Sequence, residues 1–114
     1  MGLKLFLDDV RPAPEGFLLF RPDDMPMFYH LAKHAEVISM DHDLGLDPEG
    51  NEYPNGDMVL RKLEEQACRG HIWTTQVPDI RIHSANPVGR QNMERTIAGI
   101  HRHCQYYGGT VQQP

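Results

Sequence analysis

Cysteine is scarce in this chain of 114 residues, which has only Cys68 and Cys104. Their spacing fits neither a zinc-ligand pattern nor a disulfide framework. They read as two buried, inert thiols at helix ends, in a reducing, cytoplasmic setting. Long apolar runs are missing too. No stretch approaches the roughly 20 residues that a membrane span requires, and the apolar part of the amino-terminal segment is too short for a secretory leader. Met1-Gly2 opens like a myristoylation signal, but Phe6 stands where serine or threonine is required. Positive charge is in deficit: the net charge is −5, so the basic footprint of a duplex nucleic-acid binder is absent. A small phosphorylated ligand held by a local arginine remains compatible with that balance. Walker-type glycine loops, Gly-x-Ser-x-Gly elbows and cysteine-centred nucleophile motifs are all lacking, which argues against nucleophilic serine or cysteine chemistry. No feature points to a particular protein partner.

What is present is an ordinary globular composition, 39% hydrophobic and 24% charged, in a length that makes one domain with a single core. The domain is expected over residues 1–105. A polar, glycine-rich tail over 106–114 is expected to fray.

Residues 3–7 form a compact apolar run suited to a buried strand, and Phe17 to Phe20 a second one. The stretch between them, Arg11 to Gly16, is too proline-rich for a helix. Asp23, Asp24 and Pro26 open a helix whose Phe28, Leu31, Ala32 and Ala35 share a face. Val37 to Met40 is the next strand, followed by a polar loop over Asp47 to Asn55, expected to be mobile. Asn55-Gly56-Asp57 starts a helix with Val59, Leu63 and Ala67 on its buried side, ended by Arg69-Gly70. After an irregular connection holding Trp73 comes the strand Ile80–His83. Asn86-Pro87 then caps a last helix, buried along Met93, Ile97, Ile100 and Cys104. Strand, strand, helix, strand, helix, strand, helix predicts a small three-layer α/β/α sandwich with a mainly parallel four-stranded sheet.

Three apolar runs end in chemistry: Leu-Phe-Leu-Asp8-Asp9, Ile-Ser-Met-Asp41-His42-Asp43-Leu-Gly, and Ile-Arg-Ile-His83-Ser84-Ala-Asn86-Pro. In a parallel sheet their C-terminal ends share one edge, where ligands of open α/β sheets bind. Asp8, Asp9 and Asp41 offer hard oxygen ligands for Mg²⁺ or Mn²⁺. His42 and His83 are candidate acid and base, since histidine titrates near neutrality, and Asp43 would orient His42 or complete the metal shell. Ser84, the helix N-terminus at Asn86, Arg90 and Arg11 are candidate phosphate ligands. Asn86 is also a plain helix cap. His30, His34, His71, His101 and His103 read as surface or loop residues.

These pieces, with Gly56-Asp57 opening a helix and Pro-Val-Gly-Arg90 following Asn86, resemble the cyclic-phosphate-processing receiver domains over residues 3 to about 100. The resemblance implies a receiver-like, flavodoxin-like fold related to phosphoacceptor receivers. In those, paired acids after the first strand and an aspartate after the third bind Mg²⁺, positions that Asp8, Asp9 and Asp41 match. Ser84 matches the hydroxyl residue after the fourth strand. The chain departs from receivers in lacking the fifth strand with its lysine: lysine stands only at 4, 33 and 62. The helix between the first two strands is missing as well. Exchanging that lysine for His42 and His83 favours hydrolysis over a stored phosphoryl group. The expectation is a metal-dependent phosphoesterase acting on cyclic nucleotides or 2′,3′-cyclic phosphate ends. Two alternatives are a non-catalytic sensor of a phosphorylated ligand and an Asp41 phosphoacceptor.

Overall fold

The computed structural model describes residues 2–111. Along the chain run Leu3–Leu7 (β1), Leu18–Phe20 (β2), Met25–Ala32 (α1), Ala35–Met40 (β3), Gly56–Cys68 (α2), Gln76–Val77 (β4), Asp79–Ile82 (β5), Pro87–Tyr106 (α3) and Thr110–Val111 (β6). β1 and β3 are central and bury their last residues on both faces, as parallel strands do. All pairings in the main sheet are parallel, with Leu7 opposite both Phe20 and Met40, and Met40 opposite Ile82. The strand order is β2-β1-β3-β5, the doubly wound order 2-1-3-4-5 stopped one strand short. The small α/β fold with a mainly parallel four-stranded sheet is as the sequence predicts.

Its two faces are unequally covered, and a loop stands where the expected α/β/α sandwich has its second helical layer. Leu5, Leu7, Ile38 and Met40 share one face by alternation. They join a single core with Phe28 and Ala32 of α1, Leu60 and Leu63 of α2, and Met93 and Ile100 of α3. All three helices therefore pack on that face. On the other face Phe6 and Val37 are buried outside the main core. There the connection from Asp9 to Phe17 takes the place of a helix, with the Phe17 ring edge-on to Phe6 at 6.3 Å.

Local signals account for the helix boundaries. Asn55 and Asn86 each accept the amide N–H three residues on, from Met58 and Gly89, which satisfies first-turn donors. Ahead of α1 a 3-10 turn, Pro22–Asp24, intervenes, and Asp24 uses its carboxylate on the Arg21 amide rather than on the helix. Ala35, expected on the α1 face, instead begins β3. Trp73 adopts φ 56°, a conformation that costs a non-glycine residue energy. Its buried indole N–H donates to the Ala32 carbonyl at 3.0 Å, which fixes the connection under α1.

The expected fraying does not hold for residues 106–111, while 112–114 lie outside the described residues, as does Met1. α3 runs to Tyr106, the Tyr107 hydroxyl donates to the Cys68 carbonyl, and Gly109 N–H donates to the Cys104 carbonyl. β6 then pairs with β4 in a small parallel sheet. Polarity at 106–111 misled because backbone pairing, not side-chain burial, docks this segment. Cys104 is buried as expected, and burial pushes its thiol up to about 11. Cys68, expected to be buried, is exposed at the end of α2. Among the described residues no helix is long and apolar enough to cross a membrane.

Deleting the chain from residue 107 onward should lower stability by on the order of 1–3 kcal/mol, because it uncovers β4 and its buried Val77. Urea unfolding of the truncated and full chains measures this, and equal midpoints would refute the docking.

Candidate metal centre and catalytic site

The C-terminal ends of β1, β3 and β5 stand side by side because the strands are parallel and in register. The first connection leaves β1 on one face of the sheet and α2 follows β3 on the other, so the gap between β1 and β3 is the switch point where such folds bind ligands. Asp8 ends β1, Asp41 ends β3 and His83 ends β5. One ligand atom from each lies within 4.8 Å of the others.

Asp8 is fully buried. Its Oδ1 accepts from the amides of Val10 at 2.9 Å and Arg11 at 2.8 Å, and its Oδ2 meets His83 Nε2 at 2.9 Å. Burial pushes this carboxyl upward, but the Arg11 and Val10 amides together with His83 outweigh it and hold the group below 3.8. The imidazole of His83 is fixed on three sides. Ser39 Oγ lies 2.7 Å from Nδ1, Asp8 holds Nε2, and Phe6 stacks against the ring at 4.3 Å, nearly parallel. Since Asp8 is ionised and can only accept, Nε2 carries a proton. Ser39 can either donate to Nδ1 or accept from it, so the ring can change charge without losing a contact.

Asp9 stands beside this group but outside the set of three, with its carboxylate against Gly45. Burial and the neighbouring Asp8 and Asp41 carboxylates push it upward. Asp41 accepts the His42 amide on Oδ1 at 2.8 Å. His42 turns away toward α3, where its ring rests on Gly89 so closely that a Cβ there would overlap it. Its Nδ1 lies 2.9 Å from Asp43 Oδ1. That contact makes Nδ1 the donating nitrogen and leaves Nε2 to accept.

The expected phosphate ligands are already engaged in building the site. Arg11 donates to the His83 carbonyl at 2.7 Å but remains exposed. Arg90 donates to the carbonyls of Ile82 and Ser84, bracing β5 against α3. Ser84 is buried and its Oγ accepts the Asn86 amide at 3.1 Å, a local turn that presents no hydroxyl outward. Asn86 acts as the cap.

Three contributors escaped the sequence reading. Ser39 and Phe6 lie opposite each other on the helix-free face, and only the position of His83 after β5 gives them a partner. Arg21 donates to the carbonyls of Asp8 and Arg11 and so clamps the turn that carries Asp8. Ser39 could have been found by alternation, since it lies two residues before Asp41. The loop after Gly45 is also better ordered than expected. Asp47 accepts the amides of Glu49 and Asn51, and Leu46 bridges Glu52.

The Asp8 and Asp41 carboxylates are hard oxygen donors that fit a divalent cation of the Mg²⁺ or Mn²⁺ type, with the His83 ring beside them. Of the carboxylates of Asp8, Asp9 and Asp41, that of Asp8 meets the His83 ring at contact distance. Residues 3–99 match the model of a family described as the cyclic-phosphate processing receiver domain, and the chain belongs to that family. No curated protein and no solved structure matches the chain.

Asp8, lowered in the fold, contributes stability that is full above pH 3.8 and is lost as pH falls through its folded value. Asp9, raised in the fold, behaves oppositely: its contribution is present below pH 3.8 and is lost as pH rises through its folded value. At pH 7 in chelator, Asp9→Asn should therefore stabilise the protein by a few tenths to about 1 kcal/mol. Asp8→Asn should destabilise it by about 1–3 kcal/mol, because the amide cannot serve His83 as a carboxylate does. Denaturant midpoints of the two variants decide this, and a shift of the same sign in both would refute the assignment.

Proposed function

We propose that the protein is a metal-dependent phosphoesterase that hydrolyses cyclic phosphates, either cyclic nucleotides or 2′,3′-cyclic phosphate ends. The observation that carries this reading is the convergence of Asp8, Asp41 and His83 at the sheet's switch point, in a chain of the cyclic-phosphate processing receiver family. Asp8 and Asp41 would hold Mg²⁺ or Mn²⁺, with Asp9 completing the shell. When bound, such an ion polarises a phosphoryl oxygen and lowers the pKa of its water. The setting is a reducing cytosol, in keeping with two free thiols.

In the reaction, water adds to phosphorus, one ring P–O bond breaks and the departing alkoxide takes a proton, which leaves a phosphomonoester. His42, oriented by Asp43 through Nδ1, would receive the proton of the attacking water at Nε2. His83, held between Asp8 and Ser39, would supply one. Arg11, with the rest of its guanidinium exposed, would meet the phosphate oxygens. The α3 N-terminus beside Gly89 would add its dipole. Here the histidine pair replaces the receiver lysine, which turns over an ester rather than keeping a phosphoryl group.

Phosphorus NMR of the protein with 2′,3′- and 3′,5′-cyclic nucleotides, in Mg²⁺, Mn²⁺ and chelator, tests the proposal. Many turnovers per protein, abolished by chelator and by Asp41→Asn, are expected. No turnover by folded, metal-loaded protein would overturn it in favour of a sensor, and a stop at one equivalent would indicate an Asp41 phosphoacceptor. Ser39→Ala should lower kcat roughly ten- to hundredfold, with Ser39→Thr restoring it. An unaltered kcat in Ser39→Ala would remove Ser39 from proton handling.

A further inference from the structure

Beside His42 opens a cleft of about 750 Å³, with Leu46, Tyr53 and Met58 among its walls and Asp43 and Glu52 at its edge. A second cleft of about 420 Å³ reaches from Asp9 to the same Leu46 and Tyr53. Tyr53 thus stands between the acidic group and the larger hollow. Large apolar side chains cluster around this end of the molecule. Val10 follows Asp9, Leu46 follows Gly45, Met58 lies in the first turn of α2 and Val88 in the first turn of α3, and each is more than half exposed. A site for inorganic phosphate alone has no use for such a rim, and exposed apolar groups gathered at a cleft mark a ligand surface.

The charge of the rim says what kind of group fits. Asp43 and Glu52 edge the larger cleft and Asp23 the smaller. Asp23 and Asp47 lie near enough to Tyr53 to raise its phenol, after burial. A second anionic group is repelled here. A flat ring that stacks on one face and donates N–H groups at its edge is favoured, since carboxylates accept such donors.

From this we infer that the Tyr53 cleft seats the nucleobase of the substrate, so that the site takes cyclic mononucleotides in preference to cyclic-phosphate ends of RNA. The inference rests on the phosphoesterase reading for its substrate class and adds the part of the ligand that the acidic group does not touch. Tyr53 and Leu46 supply the stacking walls, and Glu52 and Asp43 supply acceptors for ring N–H groups. Bases that donate through neighbouring N–H groups, guanine above all, suit those acceptors better than uracil does. An RNA strand would bring further phosphates against Asp23, Asp47 and Glu52, a repulsion that a mononucleotide avoids.

The test compares five compounds: 2′,3′-cyclic GMP, 2′,3′-cyclic UMP, the base-free methyl riboside 2,3-cyclic phosphate, an RNA hexamer ending in a 2′,3′-cyclic phosphate, and guanosine. Turnover is followed by phosphorus NMR and binding by calorimetry in Mn²⁺. Cyclic GMP is expected to exceed the base-free compound at least tenfold in kcat/KM and the hexamer by a smaller margin that grows as salt is lowered. In Tyr53→Ala the preference for cyclic GMP over the base-free compound should collapse about tenfold, mainly through KM. Tyr53→Phe should keep it, and Tyr53→Leu, checked for folding by circular dichroism, guards against a collapsed loop.

Equal use of the base-free compound, or a preference that survives in both Tyr53→Ala and Tyr53→Leu, overturns the base seat while the phosphoesterase stands. A hexamer better than cyclic GMP overturns the mononucleotide preference. If nothing turns over, the phosphoesterase reading falls, and binding decides the rest. Cyclic GMP and guanosine that bind wild type and lose affinity in Tyr53→Ala uphold the seat, and absence of binding removes it.

Discussion

A carboxylate with no exposed surface must be surrounded by donors or it will not stay charged. Asp8 is in that position, and three donors from two directions meet it: the Val10 and Arg11 amides from its own turn and His83 Nε2 from the far end of β5. The turn can supply its two amides only while the chain after β1 bends back. Arg21 holds that bend by its bonds to the Asp8 and Arg11 carbonyls. His83 reaches Asp8 only because β5 and β1 flank β3 in parallel with their ends level, and the His83 amide itself donates to the Met40 carbonyl. Sheet register and site geometry are thus one constraint. A slip of one residue in β5 would send His83 to the helix-covered face.

The unequal layers follow from how these connections are used. With a proline-rich loop in place of a helix after β1, one face of the sheet carries Phe17 and its neighbours over Phe6. That thin cover lets His83 lie flat on Phe6 with Ser39 at its edge, on a surface a helix would otherwise claim. The opposite face holds the main core, and there α2 and α3 are tied by a buried bond from the Thr96 hydroxyl to Asp57 at 2.6 Å. Arg61 pairs with the other oxygen of that carboxylate. Stability is concentrated on the helical side, and the chemistry lies at the ends of strands braced by it.

Local patterns made most of the fold legible. The apolar runs gave the four main strands, the Asn55 and Asn86 caps gave two helix starts, and the carboxylates after β1 and β3 announced the site. What remained hidden depends on contacts between distant segments. The β4–β6 pair is two residues a side, too short to show a period, and it is made by backbone groups that carry no sequence signal. Ser84, Arg11 and Arg90 have the residue types of phosphate ligands, yet all three bond backbone carbonyls or amides around β5 and α3. Their types suit both uses, and Arg11, which stays exposed, can serve both. Ser39 gives no signal for the converse reason, since a serine inside an apolar strand looks like a neutral filler until His83 is placed against it.

The same geometry bears on why a receiver-like scaffold would process an ester. A lysine beside an aspartyl phosphate stays charged throughout the physiological range and neutralises a standing negative group. Histidine in that role is a weaker and reversible cation, and it hands on a proton near neutral pH. Here the imidazole sits in contact with Asp8 while Ser39 accommodates either charge state at Nδ1, so gaining or losing a proton breaks no hydrogen bond. A second imidazole, His42, is directed by Asp43 toward the neighbouring cleft. In the proposed reaction two imidazoles in different surroundings, one against a buried acid and one beside the cleft, would divide the roles of proton donor and acceptor. The acids would attract and place a cation, and no lysine would stand beside the phosphoryl group to hold it on the protein.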